Sequence, residues 1–222
     1  MRIQGAVFDM DGLMFDTENL TFILQREILA KEGKSFTLED YKNTVGKRAA
    51  DLPGYFKKLF GGDFDYEDFH QKCRAEYMQY TEKNGVPIKE GLFELLDELK
   101  KRRIKIALST STTRRSAERT LKIAGVFDYF DELVCADDVK NGKPHPEPFL
   151  KAAEKLRLEP GSCAALEDSL NGIKSAYSAG MITVMVPDLI EPTAEIKEKC
   201  AYIFKSLLNV KSIFKEENYE ED

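Results

Sequence analysis

The sequence of 222 residues predicts an α/β fold in which a parallel sheet is interrupted by a long helical insertion. Short apolar runs that end in polar residues alternate with amphipathic stretches of helix length, which is typical of a parallel sheet. One interval, from Asp16 to about Gly85, contains no strand-like run. The length agrees with this organisation, since 222 residues exceed one minimal domain but fall short of two full ones.

Five apolar runs are the predicted strands, at residues 5–8, 104–108, 133–135, 163–166 and 182–186. Helical patterns follow at residues 113–124, 146–156 and 171–179, and a further helix is predicted at 90–103. In open α/β sheets the functional groups gather at the carboxyl ends of the strands. The acids and hydroxyls that follow the predicted strands are therefore the candidate site residues.

The insertion is predicted to be entirely helical. Its helical patterns cover residues 20–33, 50–60 and 66–83, and they are interrupted by glycines at positions 46, 61 and 62. A helical segment of roughly 70 residues is long enough to form a separate domain.

Composition and charge narrow the classes of function. The chain has 33 Lys and Arg residues against 39 Asp and Glu residues, whereas nucleic acids and anionic membranes are approached through a basic excess. No run approaches the ~20 apolar residues that a transmembrane helix requires. The four cysteines are spread singly, which favours a reduced cytosolic compartment. We therefore expect a cytoplasmic protein without a nucleic-acid or membrane partner.

Asp9 and Asp11 belong to the most specific segment, an Asp-x-Asp-Gly sequence that ends at Gly12, directly after the first predicted strand. Two carboxylates this close in a poorly solvated cleft need a compensating cation to remain ionised. A divalent ion such as Mg2+, which prefers oxygen ligands, provides that charge. The alternative is an Asp-Gly turn with an incidental second acid.

Three later segments carry hydroxyl, ammonium and carboxylate groups. Residues 109–113 place hydroxyl side chains where a strand passes into a helix, which suits anion binding, although helix capping is the alternative. Prolines stiffen the loop around Lys143, whose ammonium can neutralise a phosphate or a carboxylate; the alternative is a solvent-facing lysine. Glu167 and Asp168 follow the fourth strand, where a helix N-cap with favourable first-turn charge is the alternative.

Taken together and in this order, the segments resemble the motifs of the haloacid dehalogenase-like hydrolase superfamily. The motifs are Asp9-x-Asp11-Gly12-x-x-x-Asp16-Thr17, Thr110-Ser111, Lys143-Pro144 and Glu167-Asp168. The resemblance covers nearly the whole chain and points to the subgroup of phosphoglycolate phosphatase-like enzymes and β-phosphoglucomutase. It implies a Rossmann-like parallel-sheet core whose first strand is central, flanked by the strands before Thr110 and Asp168, with an all-helical cap domain inserted after the first motif.

The resemblance also implies domain boundaries. The catalytic core comprises residues 1–17 and 86–214, and the helical cap comprises residues 18–85. Residues 215–222 are predicted to form an acidic solvated tail, since they hold five acids and one lysine and so contribute −4 of the net charge of −6.

Roles for the core residues follow from the same resemblance. Asp9 is expected to be the nucleophile that forms an aspartyl-phosphate, and Asp11 the general acid and base. Thr110, the backbone N–H of Ser111 and the Lys143 ammonium are expected to hold the phosphoryl oxygens.

The expected cofactor is Mg2+. Its ligands are expected to be Asp9, the backbone carbonyl of Asp11 and Asp168, with Glu167 reaching the ion directly or through water.

The predicted function is a phosphatase that acts on a small phosphorylated metabolite, and we expect the chain to be a monomer. A sugar phosphomutase is an alternative, but β-phosphoglucomutase would call for a histidine four residues after Thr17, where this chain has Thr21. The first cap loop likewise lacks a Gly-x-x-Arg motif, although Lys47 or Arg48 can face an anionic substrate. A second alternative is a non-catalytic module that binds a phosphometabolite.

Overall fold

A computed structural model describes residues 3–47 and 49–214 of the chain. The chain forms two compact units, one comprising Met1–Phe15 and Ile88–Asp222 and the other Asp16–Pro87. Arg48 and the predicted tail at residues 215–222 lie outside the described residues.

The first unit is built on six parallel strands, which are β1 Gly5–Phe8, β2 Lys105–Ser109, β3 Glu132–Val134, β4 Cys163–Glu167, β5 Ile182–Met185 and β6 Tyr202–Ile203. Their order is β3-β2-β1-β4-β5-β6, so β1 lies between β2 and β4, as the resemblance implied. The predicted α/β fold is therefore confirmed. The five predicted strands are present, and β6 was not predicted because two residues are too few to show a period.

The described residues of the second unit form four α-helices: α1 Thr17–Lys31, α2 Leu38–Lys42, α3 Leu52–Phe60 and α4 Tyr66–Asn84. Its interior is aromatic. The Phe56 ring lies 5.1 Å from the Phe69 ring and 5.8 Å from the Phe64 ring, measured between centroids. Aromatic side chains bury large apolar areas, so this cluster gives the unit a core of its own. The short helix α2 was not predicted, and it is fixed locally by a capping box between Thr37 and Asp40.

Six helices complete the first unit: α5 Leu92–Lys101, α6 Arg114–Ile123, α7 Glu147–Leu156, α8 Leu170–Ser178, α9 Ala194–Lys199 and α10 Leu207–Val210. Helix α5 buries Leu92, Leu95, Leu96 and Leu99, the spacing of one helical face. Helix α7 packs against β1, β2 and β3. Its buried residues share one apolar cluster with side chains of α8 and of the central strands.

Across the described residues, none of the helices combines the length and apolar character that crossing a membrane would demand.

Candidate active site

The register of the three central strands sets the position of the site. Phe8 at the end of β1 is level with Leu108 of β2 and with Leu166 of β4. The residues that follow these three therefore emerge side by side at the carboxyl edge of the sheet. Asp9 consequently lies between Ser109 and Glu167.

Lys143 reaches this edge from the loop between β3 and α7. Its ammonium donates to Asp9 Oδ1 at 2.6 Å, to the Ser109 carbonyl at 2.8 Å and to Glu167 Oε1 at 2.5 Å. These three acceptors use all three donors of the ammonium group. The side chain is only 6% exposed, so the alternative of a solvent-facing lysine is wrong.

The loop that carries Lys143 is itself anchored at both ends. Glu147, in the first turn of α7, accepts hydrogen bonds from the backbone N–H groups of Lys140 at 2.7 Å and Asn141 at 3.0 Å. On the far side, the Ser175 hydroxyl of α8 donates to the His145 carbonyl at 2.5 Å. These contacts fix the backbone of the loop from which the Lys143 side chain extends.

Glu167 is fully buried at the end of β4. Its Oε1 faces Lys143, and its Oε2 accepts from the Ser169 backbone N–H at 3.2 Å and the Ser169 hydroxyl at 3.0 Å. Gly172 leaves the space for this carboxylate, because a Cβ at that position would collide with it. A buried carboxylate is stable only when its oxygens are paired in this way.

Asp9, Glu167 and Asp168 form a compact acidic cluster, with one ligand oxygen from each lying within 4.8 Å of the others. Oxygen ligands that converge at this spacing suit a hard divalent cation. Lys143 supplies a single positive charge against the three acids. The donor set therefore fits Mg2+.

Burial raises the pKa of Asp9 to about 8, from an ordinary value of 3.8; the Lys143 ammonium opposes this rise and Glu167 adds to it. Burial likewise raises the pKa of Asp168 well above its ordinary value, and the charge of Glu167 acts in the same direction. Both carboxyl groups thus pay an electrostatic penalty for ionising. A bound divalent cation would remove that penalty and favour the ionised forms.

The Asp11 carboxylate contacts the segment after β2. Its Oδ2 accepts a hydrogen bond from the Thr112 hydroxyl at 2.9 Å. The Thr112 backbone N–H in turn donates to Thr110 Oγ1 at 3.1 Å. Thr110 is buried, whereas the side chain of Ser111 is exposed. The structure thus brings Asp11, Thr112 and Thr110 into one hydrogen-bonded chain.

Of the two predicted cap residues, the structure describes Lys47. Lys47 belongs to the unit Asp16–Pro87, where its ammonium lies 5.7 Å from the centroid of the Tyr55 ring. Arg48 lies outside the described residues.

Sequence reasoning did not single out Thr112, Ser169 or Gly172 as parts of the site. Ser169 and Gly172 have a recognisable local signal, because the Ser169 hydroxyl also caps α8 by accepting from the Gly172 backbone N–H at 3.0 Å. No local pattern reveals that the same two residues make room for Glu167 and hold it.

Comparison with known proteins places the chain in a family. The model of the family "Haloacid dehalogenase-like hydrolase" matches residues 6–186. The "Phosphorylated carbohydrates phosphatase" of Thermotoga maritima is 34% identical over 184 residues, which cover 81% of this chain and 82% of that protein. The "Putative phosphatase YhcW" of Bacillus subtilis is 33% identical over 192 residues, or 86% of each chain.

A solved structure is also similar to this chain. The crystal structure described as a "putative beta-phosphoglucomutase from Thermotoga maritima" has a TM-score of 0.81 and 31% identity, covering 96% of this chain and 100% of that one. The relatives named as phosphatases support a phosphoric monoester hydrolase. The resemblance inferred from the four motifs is confirmed: the chain belongs to the haloacid dehalogenase-like hydrolase family.

Proposed function

We propose that this chain is an Mg2+-dependent phosphatase that hydrolyses a small phosphorylated metabolite, such as a sugar phosphate, through an aspartyl-phosphate intermediate. The observation that carries the proposal is the environment of Asp9. This carboxylate lies at the carboxyl edge of the sheet, 2.6 Å from the Lys143 ammonium and beside the acids Glu167 and Asp168. Such a site supplies a nucleophile, a fixed positive charge and a set of oxygen ligands at one point.

In the first half-reaction, an oxygen of Asp9 attacks the phosphorus atom of the substrate. A bond forms between that oxygen and phosphorus, and the bond between phosphorus and the ester oxygen breaks. Asp11 gives its proton to the departing ester oxygen, which leaves as an alcohol. The hydrogen bond from the Thr112 hydroxyl orients the Asp11 carboxyl for this transfer.

In the second half-reaction, Asp11 acts as the base. Its carboxylate takes a proton from a water molecule as the water oxygen attacks phosphorus. The bond between phosphorus and Asp9 breaks, inorganic phosphate leaves and the Asp9 carboxylate is restored. Proton transfer therefore begins and ends with Asp11 protonated.

Negative charge on the phosphoryl oxygens is balanced by groups at fixed positions. We assign the Thr110 hydroxyl and the Ser111 backbone N–H to these oxygens, and the positive charge of the Lys143 ammonium beside Asp9 to neutralising them. Lys143 is preorganised for this role, since its contacts to Ser109 and Glu167 hold it in place before substrate arrives.

Mg2+ would be held by Asp9, Asp168 and the carbonyl oxygen of Asp11, with Glu167 reaching it directly or through water. When bound, this ion supplies positive charge that stabilises the transferring phosphoryl group. The convergent oxygens of Asp9, Glu167 and Asp168 support this assignment.

The substrate class is supported by the relatives. One relative at 34% identity is named a phosphatase of phosphorylated carbohydrates. We propose that residues near Lys47 and Arg48 in the unit Asp16–Pro87 select the substrate, and that the enzyme works as a cytoplasmic monomer.

Phosphate release from p-nitrophenyl phosphate, with and without Mg2+, tests the proposal. We expect turnover by the wild type only with Mg2+ and no turnover by Asp9→Asn. Asp11→Asn is expected to keep its Mg2+ affinity, because its backbone carbonyl remains, while losing turnover. Equal inactivity of wild type and Asp9→Asn, with both still binding a phosphosugar, would instead support a binding module. A panel of sugar phosphates and nucleotides then identifies the substrate.

A sugar phosphomutase is the second candidate, because the solved structure at 31% identity is described as a "putative beta-phosphoglucomutase". Thr21 stands where that activity would call for histidine, which favours the phosphatase. Incubation with β-glucose 1-phosphate and a bisphosphate primer separates the two. Free phosphate is expected, and accumulation of glucose 6-phosphate would reverse the ranking.

A further inference from the structure

Asp188 is a buried acid that the proposed mechanism does not use. It follows β5, so it emerges at the same edge of the sheet as Asp9 and Asp168. Its side chain is 8% exposed, and its Oδ1 accepts from the Lys89 ammonium at 2.6 Å. Its Oδ2 is buried and has no hydrogen-bond partner among the described residues. A carboxylate oxygen in such a place needs a hydrogen-bond donor, and none of the described protein groups provides it.

The backbone at Gly12 shows where this oxygen points. Gly12 has a φ of +82°, and a Cβ there would collide with Asp168 Oδ2 and lie 3.3 Å from Asp188 Oδ2. The two carboxylates therefore converge on the loop of the first motif, from β4 and from β5. Asp188 Oδ2 thus borders the acidic cluster of Asp9, Glu167 and Asp168.

Two lysines lie near Asp188 or near the acidic cluster, and each already has a carboxylate partner. Lys89, which is 25% exposed, donates to Asp188 Oδ1, and the Lys143 ammonium donates to Asp9, Ser109 and Glu167. A further carboxylate beside Asp168 repels it unless positive charge or a hydrogen-bond donor occupies the space between them. The polarised water of a hydrated cation provides both.

We propose that Asp188 is a positioning residue for the cation site, with its Oδ2 accepting a hydrogen bond from a water molecule of the Mg2+ held by Asp9 and Asp168. This inference rests on the proposed function, because it requires that ion. Mg2+ keeps several of its waters when a protein binds it through few carboxylates. Groups that orient such ligands from the second layer change metal affinity by about 10–100-fold. Lys89 holds Asp188 in place through Oδ1.

Titration calorimetry with Mg2+ alone tests the inference, using the full chain. We expect Asp188→Asn, which keeps the size of the side chain but removes its charge, to weaken Mg2+ binding by about 10-fold or more. Glu195→Gln is the matched control, because Glu195 also pairs with a lysine, Lys174 at 3.2 Å, but is 58% exposed. Its Mg2+ affinity should equal that of the wild type.

The outcomes separate this inference from the proposed function. A purely structural role for Asp188 would lower the free energy of unfolding of Asp188→Asn and leave its Mg2+ dissociation constant unchanged, and that result would overturn the inference alone. If the wild type binds no Mg2+, or if Asp168→Asn binds it as tightly as the wild type, the proposed metal site fails and the inference fails with it.

The wild type offers a second measurement if Asp188→Asn does not fold. In a crystal structure of the Mg2+ complex, we expect a water of the bound ion within about 3 Å of Asp188 Oδ2. A complex in which every such water lies beyond hydrogen-bond distance of Asp188 would overturn the inference.

Discussion

At the residue scale, the site depends on one ammonium group that balances two buried acids. Lys143 contacts both Asp9 and Glu167, and the burial of all three makes their charges interdependent. Removing one member of such a set leaves a buried charge without its partner, which costs about 3–5 kcal/mol. The residues that carry the proposed chemistry are therefore also residues on which folding depends.

Lys143→Met separates these two roles. Because Glu167 is fully buried, the single variant should lose about 3 kcal/mol of unfolding free energy in urea denaturation. The double variant Lys143→Met with Glu167→Gln should recover part of this loss, since Asp9 is then the one acid of the pair left without the ammonium. Neither variant should release phosphate, because the phosphoryl oxygens lack their cation. Failure of the double variant to recover stability would contradict the pairing argument.

In the metal-free protein, the free energy of unfolding of Asp9→Asn should rise relative to that of the wild type as pH rises. The folded-state pKa of Asp9 is about 8 and its ordinary value is 3.8, so between these values the native state retains a proton that the unfolded chain has released. The free energy of unfolding of the wild type therefore falls with pH across this window. In EDTA, the free energy of unfolding of Asp9→Asn minus that of the wild type should increase by about 2 kcal/mol or more between pH 5 and pH 8. A constant difference across this range would contradict the raised pKa.

At the scale of elements, short helices must begin at particular residues for the site to form. Ser169 is the N-cap of helix α8. Its hydroxyl accepts from the Gly172 backbone N–H and donates to Glu167 Oε2. Gly172 lies in the first turn, against the Glu167 carboxylate. The order Ser-x-x-Gly thus joins the start of a helix to the position of a buried acid in the neighbouring strand.

Gly172→Ala tests this junction against a matched glycine. A methyl group at Gly172 collides with Glu167, whereas one at Gly54 in α3 meets nothing within 4 Å. Gly54→Ala should raise the free energy of unfolding by up to about 1 kcal/mol, as alanine does within helices. Gly172→Ala should lower it by about 1–3 kcal/mol and reduce phosphate release, because the Lys143 pairing shifts. Equal effects of the two substitutions would show that Glu167 has room to move.

The sequence predicted five strands and the longer helices, because their buried residues form apolar runs or recur at a regular spacing. Strands β1, β2 and β4 are apolar runs, and α5 repeats its leucines along one face. The short helices α2, α9 and α10 and the strand β6 were not predicted, because each spans too few positions to show its period.

The sequence singled out residues that the structure brings together, but it did not predict their contacts. Residue types at the strand ends pointed to Asp9, Asp168 and Lys143, yet Lys143 meets Asp9 across a separation of 134 residues. Such a meeting is decided by how the β3–α7 loop folds back on the sheet, which local patterns do not encode. The same holds for Asp188, whose neighbours come from the loops after β1 and β4.

At the scale of the whole molecule, the two units have different reasons to be stable. The unit Asp16–Pro87 has its own aromatic core around Phe56. The other unit holds the buried acids, which oppose its folding when they are ionised without a cation. Cation binding should therefore act on the stability of one unit.

Hydrogen exchange with and without Mg2+ tests whether cation binding stabilises only the unit that holds the buried acids. At Mg2+ concentrations near 100 times the dissociation constant, binding should stabilise the folded site by about 2.7 kcal/mol. We expect slower exchange in β1 and β4, whose ends carry Asp9, Glu167 and Asp168, and unchanged exchange in α3 and α4. Asp168→Asn is the control, since it should show no response to Mg2+ in either unit. If Mg2+ slows exchange in α3 and α4 as much as in β1 and β4, the two units unfold together. Only then would a cation bound in one unit change the rate at which the amides of the other exchange.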